Sequence, residues 1–67
     1  MTKAFSDTII ATRLRVPAWS DWFMRGETHC TIIKNGPKWL TVRGERSGKT
    51  WKVAPELVLN GRDYTIV

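Results

Sequence analysis

The stretch Lys38–Val58, KWLTVRGERSGKTWKVAPELV, decides the fold. Leu40 and Val42 alternate with Thr41 and Arg43, and Trp51 and Val53 alternate with Thr50 and Lys52. A period of two with one apolar side is the pattern of a half-buried strand, so two strands are predicted around a polar turn. Opposed residues of an antiparallel pair point to the same face. Val42 opposite Trp51 and Leu40 opposite Val53 puts all four on the core side and leaves Glu45–Gly48 as a four-residue loop. The competing register pairs Leu40 with Pro55, which has no N–H to give a ladder. The first register is therefore expected.

That register also defines the opposite face, shared by Trp39, Thr41, Arg43, Thr50 and Lys52. An indole among cations and hydroxyls is a platform for a nucleic-acid base or a phosphate backbone. The competing expectation is that Trp39 packs under a neighbouring loop, because Trp is usually largely buried.

Outward from the hairpin, turn signals divide the chain into short segments. Residues 1–7, MTKAFSD, are expected to form a flexible N-terminus, and residues 8–67 a single domain. Thr8–Val16 is rich in β-branched residues and predicts a strand, with Ile10, Leu14 and Val16 on one face and Arg13 and Arg15 on the other. Pro17 ends it. Ser20 then either caps a single helical turn through Met24, with Gly26 beyond its C-terminus, or belongs to an irregular loop. Trp19, Trp22 and Phe23 fall in this segment and are too apolar to leave together in water. They plug an open end of the fold or form a recognition surface.

Glu27–Lys34 predicts the next strand, with Cys30 and Ile32 on one face and His29, Thr31 and Ile33 on the other. Asn35-Gly36-Pro37 is a turn signal. Pro55–Leu57 predicts one 3₁₀ turn, Asn60-Gly61 a hairpin, and Arg62–Val67 the last strand. The expected architecture is all-β: a small five-stranded antiparallel barrel, since a short chain protects its sheet edges best by curling closed.

The run Arg25–Val58, with Gly26, a strand through Ile32 and Ile33, then WLTVRGERSGKTWKVAPELV, resembles the core of SH3-like barrels. In many of these a glycine, strand, turn, strand, turn, strand, then Val-x-Pro and a 3₁₀ turn follow in that order. The layout is also similar to the SH3-like C-terminal domains of retroviral integrases, which bind DNA through a basic sheet face. That resemblance implies only a position on the barrel, in which Arg43 and Lys52 occupy the outward strand face. Plasmid-type dihydrofolate reductases share the SH3-like fold, but their Val-Gln-Ile-Tyr signature is replaced here by Thr50-Trp51-Lys52-Val53.

Charge and chemistry narrow the function. Eleven Lys and Arg against six Asp and Glu give a formal net charge of +5 at pH 7, a balance that favours polyanions. Lys38, Arg43, Arg46, Lys49 and Lys52 cluster around the central hairpin and, with Trp39, are the expected nucleic-acid-binding residues. Phosphate contacts by such residues bring salt-sensitive affinity with weak sequence preference for DNA or RNA.

No catalytic set is evident. His29 and Cys30 are neighbours in a strand and point to opposite faces, so they cannot form a nucleophile–base pair. One His and one Cys cannot make a zinc site within one chain, and no metal or cofactor is expected. The Gly48-Lys49-Thr50 run is not a phosphate-binding loop: that motif needs a small residue where Arg43 stands and a helix where a strand follows. The alternative to nucleic-acid binding is a small adaptor or inhibitor of phage or mobile-element type. It would act through Trp19, Trp22 and Phe23, with an acidic protein among its possible partners. No signal peptide or bilayer-spanning run is read, and a lone Cys fits a cytoplasmic setting. Oligomeric state is left open.

Overall fold

A computed structural model describes residues 9–67, so the expected N-terminal tail Met1–Asp7 lies outside the described residues. The elements in order are β1 (Arg13–Arg15), α1 (Asp21–Met24), β2 (His29–Asn35), β3 (Leu40–Gly44), β4 (Thr50–Val53), α2 (Pro55–Leu59) and β5 (Thr65–Ile66). The five strands form one antiparallel sheet in the order β4-β3-β2-β1-β5. No ladder joins β4 to β5 among the described residues, so the sheet is open rather than the closed barrel expected.

The central hairpin has the expected register. Leu40 pairs with Val53, Thr41 with Lys52, Val42 with Trp51 and Arg43 with Thr50. Gly44 N–H donates to Lys49 O at 2.8 Å, which leaves Glu45–Gly48 as the loop.

Elsewhere the bounds of the elements differ from those predicted. Residues 9–11 form a turn instead of the start of a strand. Ala11 adopts φ 73°, which interrupts the extended run, and β1 keeps only three residues. Ser20 caps α1 by accepting from Trp22 N–H at 3.2 Å, and Gly26 stops the helix at φ 97°. The expected 3₁₀ turn at Pro55 is a short α-helix, closed by Asn60 N–H donating to Glu56 O at 3.1 Å. Pro55 sits at its first turn, where the missing N–H is not needed. Asn60-Gly61 ends this helix instead of forming a hairpin. Asn60 Oδ1 accepts from Arg62 and Asp63 N–H at 2.8 and 3.1 Å, turning the chain into a two-residue β5.

The core lies on one face of the sheet: Leu14, Val16, Cys30, Ile32, Leu40, Val42 and Val53, closed by Val58 from α2 and Tyr64 before β5. Burying an aliphatic side chain of this kind contributes ~1.5–3 kcal/mol. Trp22 and Trp51 are half-buried at its margin, stacked with ring centroids 4.4 Å apart. Ile10, expected on the core face, is exposed because it lies in the turn before β1.

Among the described residues, one charged residue is inside. Glu27, 2% exposed, accepts from Arg46 N–H at 3.0 Å and from Ser47 N–H at 2.9 Å, and also from the Ser47 hydroxyl. It thereby ties the segment before β2 to the β3–β4 loop. Donation from the Ser47 hydroxyl holds its carboxyl below the usual carboxylate range, with the two backbone donors acting in the same direction. Gly44 makes room for it, since a Cβ there would stand 2.5 Å from Glu27 Cδ.

Two outcomes are expected from this arrangement. Gly44→Ala overpacks a filled site and costs ~1–3 kcal/mol, measured by denaturant unfolding. Because the folded-state pKa of Glu27 is depressed, its contribution is complete above the ordinary glutamate pKa of about 4.3 and is lost as pH falls through the lower folded value. Glu27→Gln is therefore less stable than the parent at neutral pH and has a shallower acid decline in thermal midpoint. Identical acid profiles would remove Glu27 from this role.

Candidate nucleic-acid interface

The outer face of the sheet is built by strand alternation. Arg13, Thr31, Arg43 and Thr50 form one row across four strands, and Lys34, Thr41 and Lys52 form the next. Lys34 reaches this face through a β-bulge. Ile32 pairs with Val42 but Lys34 pairs with Thr41, so Ile33 is the extra residue. Uninterrupted alternation would have turned Lys34 to the core side with Cys30 and Ile32. Ile33 is instead the exposed, bulged residue.

An open hollow of about 220 Å³ lies at the end of this face, lined by Lys34, Gly36, Pro37, Lys38, Trp39, Thr41 and Lys52. Trp39 is 45% exposed within it. The tight β2–β3 turn holds the Trp39 backbone in place. Gly36 N–H donates to Trp39 O at 3.1 Å, and a Cβ on Gly36 would be 2.8 Å from that oxygen. Three lysines and no carboxylate line the hollow.

The remaining expected residues are distributed differently. Arg43 is on the same face, one row along, with its guanidinium near Gly48. Arg46 is drawn toward Glu27 and lies along Gly26, where its Nη1 would be 2.9 Å from a Cβ. Lys49 pairs with Gly44 and so shares the parity of Trp51, opposite to Arg43. Neither Arg46 nor Lys49 lines the hollow.

Arg13 and Arg15 join the outer face from β1. Arg13 is engaged by Glu45, with Nε 2.7 Å from Oε2 and Nη2 3.1 Å from Oε1. This hydrogen-bonded pair raises the Arg13 pKa and lowers that of Glu45. Among the described residues, Arg13 is thus the one outer-face cation with a carboxylate partner.

The aromatic segment divides. Trp22 stacks on Trp51 under the Arg25 guanidinium, whose Cζ is 5.2 Å from the Trp22 ring centroid. Trp19 is 61% exposed. It sits edge-on to Tyr64 and donates from Nε1 to Asp63 Oδ1 at 2.8 Å. Asn60 first, then Trp19, holds the Asp63 carboxyl below its ordinary range. A second hollow of about 260 Å³ is lined by these rings, Leu57 and Lys52, with the Asp21 carboxylate at its wall. Phe23, 37% exposed, lies outside it.

Of the groups that support covalent chemistry, Cys30 is buried and His29 is on the outer face beside Thr28, with Thr28 Oγ1 3.1 Å from Nδ1. Burial, then the nearby Glu45 and Glu27 carboxylates, push the Cys30 thiol up to about 12. Among the described residues, no group of three His, Cys, Asp or Glu is placed to hold a metal ion. No helix among them is long and apolar enough to cross a membrane. The native protein is expected to resist thiol alkylation at pH 7, with Cys30 labelled only as fast as the fold opens. Labelling at the rate of a free thiol would contradict its burial.

Comparison with protein-family models, curated proteins and solved structures returns no significant match.

Proposed function

We propose that this chain is a non-catalytic nucleic-acid-binding protein of the SH3-like barrel type, holding a phosphate backbone on the outer sheet face around Trp39. The observation that carries the reading is the hollow itself, in which an exposed indole is ringed by Lys34, Lys38 and Lys52 without a carboxylate. Arg43 and Arg15 extend the positive face along the sheet. Cations in this arrangement neutralise phosphates and release counterions, so affinity falls steeply with salt. Backbone contact of this kind positions the ligand and reads little sequence.

Support for the barrel comes from the contacts across the open side. Trp51 of β4 donates from Nε1 to the Tyr64 hydroxyl at 3.1 Å, and Tyr64 N–H donates to Leu57 O at 3.0 Å. The first bond draws the β4 edge toward the segment that enters β5, and the second ties that segment to α2.

A second reading has its own observation. Trp19 stands exposed over a ring-lined hollow, and Trp anchors are common in protein interfaces. Under that reading the chain is an adaptor or inhibitor that engages a protein through Trp19 and Trp22.

Charge reversal separates the two. Arg43→Glu with Lys52→Glu is expected to abolish measurable binding to labelled DNA or RNA, while the thermal midpoint changes little because both side chains are exposed. Milder Arg43→Ala and Lys52→Ala variants should each reduce the logarithmic salt slope by about 1. Parent-like binding by the double reversal would overturn the surface assignment. Salt-insensitive behaviour of the parent toward both nucleic acids would favour the protein-binding reading.

A further inference from the structure

We infer that the Trp39 hollow takes single-stranded nucleic acid, with one unpaired base stacked on the indole and its flanking phosphates held by Lys34, Lys38 and Lys52. This rests on the nucleic-acid reading above and adds the form of the ligand.

Each ligand form offers different groups to this surface. In the interior of a duplex both faces of every base are covered by its neighbours, and only the base edges and backbone face outward. A duplex therefore reaches the lysines but not the face of Trp39, unless a base is extruded at a cost of a few kcal/mol. An unpaired strand presents base faces and phosphates together. The hollow matches that combination. Trp39 is 45% exposed, and the three lysines come from different segments: Lys34 from β2, Lys38 from the β2–β3 turn and Lys52 from β4. Cations thus flank the indole on more than one side, as a backbone entering and leaving a stacked base requires.

The dimensions and lining agree. About 220 Å³, open to solvent, is below the ~300 Å³ at which pockets begin to enclose small-molecule ligands, so the site is a platform. Its lining has no carboxylate or carboxamide side chain to read a base edge, and Thr41 offers one hydroxyl. Stacking is then tolerant of sequence, because every base has a π-face. The second hollow is less suited to a phosphate backbone, since Asp21 stands in its wall and Lys52 is its sole cation.

The test compares a labelled mixed-sequence DNA strand of about 12 nucleotides, the RNA strand of the same sequence, and the DNA duplex, by fluorescence anisotropy between about 50 and 200 mM salt. The proteins are the parent, Trp39→Ala and Trp39→Phe. The parent is expected to bind at least one of the single strands about tenfold or more tighter than the duplex, and the two strands separate DNA from RNA as the source. Trp39→Ala should weaken single-strand binding about 5- to 150-fold, the equivalent of ~1–3 kcal/mol for one stacked base, and leave duplex binding unchanged. Trp39→Phe retains a ring and should recover most of the loss, which a purely structural role for Trp39 would not predict. Equal affinity for strand and duplex, or an equal loss on both in Trp39→Ala, overturns the single-strand inference while nucleic-acid binding stands. If no form shows salt-sensitive binding, the nucleic-acid reading itself fails.

Discussion

The carboxylate of Glu27 is the constraint on which the rest of the sheet depends. It is buried before β2 and accepts hydrogen bonds from two consecutive backbone N–H groups and a hydroxyl in the β3–β4 loop, about 20 residues away in the chain. A buried charge without such partners is costly, so the loop has to present Arg46 N–H and Ser47 N–H toward it. That condition holds the Glu45–Gly48 loop in one conformation and reinforces the β3–β4 register that strand alternation already specifies. The absent Cβ of Gly44 completes the fit. A one-residue slip of that register would turn the side chains of the slipped strand to the opposite face.

Because the register is held, the two faces keep distinct chemistry. The inner face is apolar and supports the core. The outer face carries hydroxyls and cations, with one internal ion pair between Arg13 and Glu45. At its end the β2–β3 turn leaves Trp39 open to solvent beside three lysines. The other large exposed indole, Trp19, is anchored by Asp63 and lies over half-buried rings, in a more acidic setting. Two aromatic surfaces on one small sheet therefore differ in the charge around them, and that difference is why we propose phosphate at the first and not at the second.

Much of this was legible in local pattern. The alternation in Leu40–Arg43 and Thr50–Val53, with the restriction at Pro55, specified the central pairing, and Ser20 and Gly26 carried the signals of a capped helical turn. Lys34 was not legible as an outer-face residue, because the bulge at Ile33 depends on how β2 meets β3 and leaves no mark in period-two spacing. Arg46 and Lys49 read as part of the basic cluster on sequence proximity alone. Glu27 draws the first aside, and ladder parity turns the second to the other face. Asn60-Gly61 carried a hairpin signal that was overridden when α2 ran directly into it.

By itself the sequence determined the all-β character, the facing residues of the β3–β4 hairpin and the positive charge, since each follows from short-range alternation, turn chemistry or simple composition. Tertiary structure alone decided that, among the described residues, no ladder joins β4 to β5. It also decided that Glu27 is buried and that Lys34 joins Lys38, Trp39 and Lys52 in one hollow. These features depend on contacts between segments distant in the chain. Their energy comes from packing and hydrogen bonding across strands, which local spacing does not encode.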